Sequence, residues 1–96
     1  MPMILSIHEA KAHLRIQHDE EDAYLEALIR QAQACAEDFC HTAFSEAPPE
    51  PVRLAVLLYA GHFYAQRENA DKPAYEAMLA AFHALLWPYR EADKLF

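Results

Sequence analysis

Residues 52–64 read VRLAVLLYAGHFY, and only Arg53, Gly61 and His62 interrupt an otherwise apolar run. Wound as a helix, such a run is apolar on every face. It must be buried in a core, a membrane or an assembly. It falls well short of the roughly 20 residues needed to cross a bilayer. Burial in a water-soluble body is therefore expected, part of it against other copies of the same chain.

The rest of the pattern predicts three more helices around this one. SIHE at 6–9 is a capping box: the Ser6 hydroxyl can accept from the Glu9 amide while Glu9 reaches back to the Ser6 amide. A short helix over about 6–14 follows, with Ile7, Ala10, Lys11 and Leu14 on one face and the Lys11 stem covering apolar surface. HDEED at 18–22 opens a second helix over about 19–40. Asp19 is the expected N-cap, and the following carboxylates favour the helix dipole. Leu25, Leu28, Ile29, Ala32, Cys35, Ala36 and Phe39 recur at three- and four-residue steps and form its apolar stripe. Glu26 and Arg30 make an outer i,i+4 pair. The stiff loop 41–51 contains Pro48, Pro49 and Pro51, and Pro51 can open the third helix, about 51–68. ENADK at 68–72 is a polar turn. The fourth helix spans about 73–86, with Leu79, Phe82, His83, Leu85 and Leu86 leaning inward, and Pro88 ends it. A tail over 88–96 closes on Leu95 and Phe96. The expected fold is all-α, one compact domain over 1–96, with the apolar helix at the centre of about four.

Composition sharpens this. The apolar fraction is 54%, with one Gly, and Ala and Leu dominate, which favours helix over sheet. The lone Gly61 lies mid-helix, where it costs about 1 kcal/mol against Ala. Close approach of another helix explains it better than tolerance of a small residue. Net charge is −7 and the Lys and Arg residues are scattered singly. That argues against tight binding to phosphate backbones but suits a surface past which DNA slides. The first residues lack a basic region followed by a long apolar stretch, so neither signal peptide nor membrane anchor is expected.

The candidate chemistry is thin. Cys35 and Cys40 are about 140° apart on one helix and are expected as buried free thiols. His8 and His13 diverge, His62 has no ligand at i+4, and Cys40 and His41 are adjacent, so the six histidines read as structural. The acidic run lacks the spaced ligands and Gly turn of a calcium loop. There is no Gly-rich phosphate loop. No catalytic, cofactor or metal residue is assigned, and the chain is expected not to be an enzyme. The residues that invite a partner are others. Arg53 opposes the dipole at the start of its helix and needs a carboxylate, within the chain or on a neighbouring subunit. Arg67 stands near the end of that helix. Trp87, Tyr89 and Arg90 form an aromatic–basic cluster of the kind that anchors interfaces, although Trp87 could instead cap the core.

The opening, ILSIHEAKAHLRIQHDEEDAYLEALIRQAQACAEDF, resembles that of the tailed-phage head–tail connector family, with its EAK-x-HLR helix, D-x-x-D turn and LI-x-x-A helix. PVRLAVLLYAGHFYAQRE resembles the family's central helix, with Pro51, Arg53, Ala55, Leu57, Leu58, Tyr64, Arg67 and Glu68 in its marked places. LLWPYRE resembles its LL-x-PYR close through Leu85, Leu86, Pro88, Tyr89 and Arg90. The chain departs from the family in a shorter, Pro-rich loop at 41–50 and in Cys35 and Cys40. The resemblance implies a non-enzymatic subunit without cofactor, in a ring of about a dozen copies around a symmetry axis. Portal and tail-completion proteins would be its partners, and DNA would pass through the ring without sequence-specific binding. It would occupy the bacterial cytoplasm during assembly and then the virion head–tail junction. On this reading Arg53, Tyr64, Arg67, Trp87, Tyr89 and Arg90 are the candidate interface residues. A small helical regulatory or DNA-packaging adaptor acting as a dimer is the alternative; a basic recognition helix would favour it, and none is present.

Overall fold

The computed structural model describes residues 3–44, 48–66 and 71–90. Among them are four helices and no strand: α1 Ile7–Leu14, α2 Asp22–Cys40, α3 Glu50–Ala65 and α4 Lys72–Leu86, the last running into a 3₁₀ turn, Trp87–Tyr89. The all-α expectation holds. The apolar helix α3 lies between α2 and α4, with α1 laid across α2 and α3. The body is flat, 43 × 32 × 18 Å.

The capping box forms as the sequence predicts. Ser6 Oγ accepts from the Glu9 amide at 3.1 Å, and Glu9 Oε1 accepts from the Ser6 amide at 3.2 Å. α1 and α2 both end in a left-handed residue, Arg15 (φ 60°) and His41 (φ 58°). In each case two crossed amides close the helix: Arg15 onto Ala12 and Ile16 onto Lys11, then His41 onto Asp38 and Thr42 onto Glu37. Glycine would be the usual choice there. The only one in the chain is spent at Gly61, where an added Cβ would meet Leu14 Cδ2 at 3.0 Å. The close approach expected at Gly61 is thus that of α1.

The start of α2 differs from expectation. Asp19 does not cap it; the helix begins at Asp22, with Glu21 in the cap position and no side-chain cap bond. Lys11 is the reason. Its Nζ sits 2.5 Å from Asp19 Oδ1 and 2.8 Å from Asp22 Oδ1, so a tertiary ion pair takes the carboxylate that local pattern assigns to capping. The hydrogen bond to Asp19, then that to Asp22, holds the Lys11 ammonium above its ordinary range. Lys11 in turn holds the Asp19 carboxyl below its ordinary value. The cation received by the acidic run is the chain's own.

α3 begins one residue before Pro51, and Gln66 closes it with its amide on His62 O at 2.9 Å, earlier than the expected end near 68. α4 begins at Lys72, with Asp71 Oδ1 accepting from the Ala74 amide at 3.1 Å. Its buried positions are Met78, Phe82 and Leu86. Leu79 and Leu85 are only half-buried, and His83, expected inside, is exposed. Because the helix is rich in Ala, two adjacent faces read alike, and the core takes the one carrying Met78.

Residues 3–5 also join the core. Ile4 and Leu5 are buried, and the Ile4 amide donates to Oε1 of the buried Gln33 at 2.8 Å. Gln33 Nε2 donates to Glu37 Oε2, which also accepts from the Phe44 amide at 2.9 Å. Cys40 is fully buried, and burial pushes its thiol up from the ordinary value; Cys35, also expected buried, is only half-buried, 3.5 Å from the Tyr59 hydroxyl. The expected tail residues Leu95 and Phe96 lie outside the described residues.

Candidate functional site

Val52, Ala55, Val56, Leu57, Tyr59 and Ala60 of α3 are buried inside the chain. One stripe of the same helix is left open between α1 and α4. Leu54 is 45% exposed, Leu58, Gly61 and His62 are half-buried, and Ala65 is exposed. Over this stripe lies a groove of about 340 Å³, walled by Leu14, Leu57, Leu58, Gly61 and Met78 with His13 and His62 at its edges. A second depression of about 290 Å³ shares His13 and Leu57 and continues the surface to Leu54 and Arg53. Its lining is mixed, leucines beside an ion cluster in which the Arg53 guanidinium pairs with Glu9 of α1 and, at 3.3 Å, with Glu50. The carboxylates that Arg53 needs come from its own chain, and Glu9 ties the start of α3 to α1.

Tyr64, at the other end of α3, donates its hydroxyl to Glu21 Oε1 at 2.6 Å and lies 6.3 Å from the Tyr24 ring. It fixes α3 against the start of α2. Arg67 lies outside the described residues.

The close of the chain builds a third patch. Trp87 is 62% exposed and does not cap the core. Arg90 lies 4.5 Å over Phe39 and 5.0 Å over Trp87, and its Nη2 is 3.3 Å from His41 Nε2. Its Nε is buried without a hydrogen-bond partner among the described residues. His83 stacks on Phe39 at 4.4 Å. Tyr89 is half-buried against the core. Trp87 and Arg90 therefore do come together, and Phe39 and His83, which the sequence pattern assigns to the core, complete their surface. Tyr64 and Arg53 stand elsewhere, each in its own ion or hydroxyl contact.

Among the described residues no three His, Cys, Asp or Glu side chains converge as metal ligands, and no helix is long and apolar enough to cross a membrane. A family model described as phage gp6-like head-tail connector protein matches residues 4–90. The chain belongs to that family. The match runs from Ile4, the first residue buried in the core, to Arg90 in the aromatic patch, so the connector body described above is matched from end to end. Head–tail connectors are structural proteins, and the role of this chain is accordingly that of a phage structural connector. No curated protein and no solved structure gives a significant match.

Proposed function

We propose that this chain is one subunit of a ring at the virion head–tail junction. It assembles in the bacterial cytoplasm, binds portal protein on one side and tail-completion proteins on the other, and lets DNA pass through its centre. The open stripe of α3 carries the reading. A helix apolar on all faces has Leu54, Leu58 and the groove beside Gly61 left uncovered by the described residues, and such a surface is ordinarily closed by another protein. The net charge of −7 supports a conduit that does not hold its cargo. A flat body supports side-by-side packing of broad faces.

Size exclusion with light scattering, joined to negative-stain imaging at several protein concentrations with and without portal protein, tests the proposal. Rings are expected. A strict monomer or dimer even beside portal protein refutes it. Leu54→Glu and Leu58→Glu each place a charge on the stripe, and both are expected to reduce assembly while leaving the helical content of the subunit unchanged.

A further inference from the structure

Tyr59 and Gly61 are two residues apart on α3, so they point about 200° apart around its axis. Gly61 opens on the groove described above. On the Tyr59 side lies a separate notch of about 250 Å³ between α2 and α4. Its walls are aromatic: Phe39, Tyr59, Tyr75, Phe82 and His83. Tyr59 and Phe82 are 5.2 Å apart, and Tyr75 is 38% exposed at the mouth. Asp38 stands on the same rim, exposed, and its carboxylate has no ion pair or hydrogen bond among the described residues. Tyr59 and Phe82 are buried and Phe39 is stacked on His83, so Tyr75 offers the open ring face, and a ring face near an unpaired carboxylate attracts a cation. One wall of the notch, Phe39, already carries the guanidinium of Arg90.

The described cations narrow the occupant. Lys11, Arg30 and Arg53 each have a carboxylate, and Arg90 has its rings. Arg15 and Lys72 have neither, and both are exposed. Lys72 is one turn before Tyr75 and belongs to the notch's own face; a contact through it would be self-complementary and would stop at a dimer. Arg15 follows Leu14, which packs on Gly61, so its backbone stands at the end of α1, on the Gly61 side of α3 and across that helix from the notch. Two crossed amide hydrogen bonds hold it on a fixed left-handed turn. A contact between opposite faces is head-to-tail, the kind that closes rings.

We propose that Arg15 of one copy seats in the aromatic notch of the next, its guanidinium on the open Tyr75 ring and against Asp38. The contact rests on the ring reading and names the residues that fix its register. Acidic copies repel one another, and one matched cation–carboxylate contact per junction selects the productive orientation.

The test is a charge swap, read by light scattering and negative stain in the presence of portal protein. Arg15→Glu and Asp38→Arg are made singly and together, with circular dichroism melts verifying that the monomers fold. Each single variant is expected to lose rings, and the double variant to regain them. Because the two residues lie on opposite faces of one chain, regain reports a contact between copies. Should a charge reversal lower the melt, Arg15→Gln and Asp38→Asn replace it and are expected to lose rings in the same way. Single variants that form rings like the wild type overturn the contact and leave the ring itself standing. Folded single variants that fail, with a double variant that fails too, also overturn it. Wild-type protein that stays monomeric or dimeric overturns both.

Discussion

Gly61→Ala sets two effects against each other. Replacing a mid-helix Gly by Ala gains about 1 kcal/mol of helix propensity. Against this, the new methyl would stand 3.0 Å from Leu14 Cδ2, a few tenths of an ångström inside comfortable contact. The obstacle is the far end of a flexible side chain, not backbone, and Leu14 itself borders the open groove of about 340 Å³. It can retreat into that space at a cost of about 0.5 kcal/mol, the scale of a modest off-rotamer shift. The net expectation is stabilisation by about 0.5 kcal/mol, or a rise of about 2–4 °C in Tm for a chain of this size. Urea unfolding under conditions where the protein is monomeric measures it. Gly61→Leu, in the same assay, fills space that Leu14 cannot vacate and is expected to cost about 1–3 kcal/mol. A loss of about 1 kcal/mol or more for Gly61→Ala, the whole of the propensity gain reversed, would refute the reasoning: α1 would then be held rigidly on α3 and the groove would not be free to take up the shift.

Three further outcomes follow from the contacts above. Gln33→Met keeps the shape of the side chain but removes the acceptor of the buried Ile4 amide, and is expected to destabilise by about 1–3 kcal/mol in thermal melts. The Lys11 pairs give stability through the middle of the pH scale, and it is lost toward either end. The raised Lys11 contributes below 10.5 and its share is lost as pH rises through its folded value; the lowered Asp19 contributes above 3.8 and its share is lost as pH falls through its folded value. Urea midpoints across pH should therefore fall less steeply above 10.5 in Lys11→Met and less steeply below 3.8 in Asp19→Asn than in wild type. Burial also raises Tyr59 and Cys40, so the comparison is made variant against wild type. With a thiol-specific reagent, Cys35 should react in the folded protein, and Cys40, enclosed and 3.6 Å from Leu86 O, should react only after unfolding.

What the sequence made legible was local. The capping box at Ser6, the Pro-bounded start of α3 and the run that makes it central all depend on neighbours a few residues away, and they stand where expected. What it concealed was tertiary. Asp19 reads as a cap until Lys11, eight residues earlier, takes its carboxylate. Gln33 is a polar side chain in α2, and its burial becomes explicable only when residues 3–5 supply a donor from 29 positions away. His83 and Met78 exchange roles because an Ala-rich helix leaves its rotation to be decided by packing. At the candidate site the need of Arg53 for a carboxylate was readable, but the identity of Glu9 was not, since it depends on how α1 crosses α3. Trp87 and Arg90 were readable as a pair; Phe39 joined them only through the approach of α2 to the end of α4.

Glu37 Oε2 accepts from both Gln33 Nε2 and the Phe44 amide, and Gln33 in turn holds Ile4. One carboxylate thus clasps the beginning of the chain and the segment leaving α2. These two stretches are remote in sequence but share a latch, so they should open as one unit. The amides of Ile4 and Phe44 would then exchange with deuterium at a common rate, the opening that frees one freeing the other in the same event.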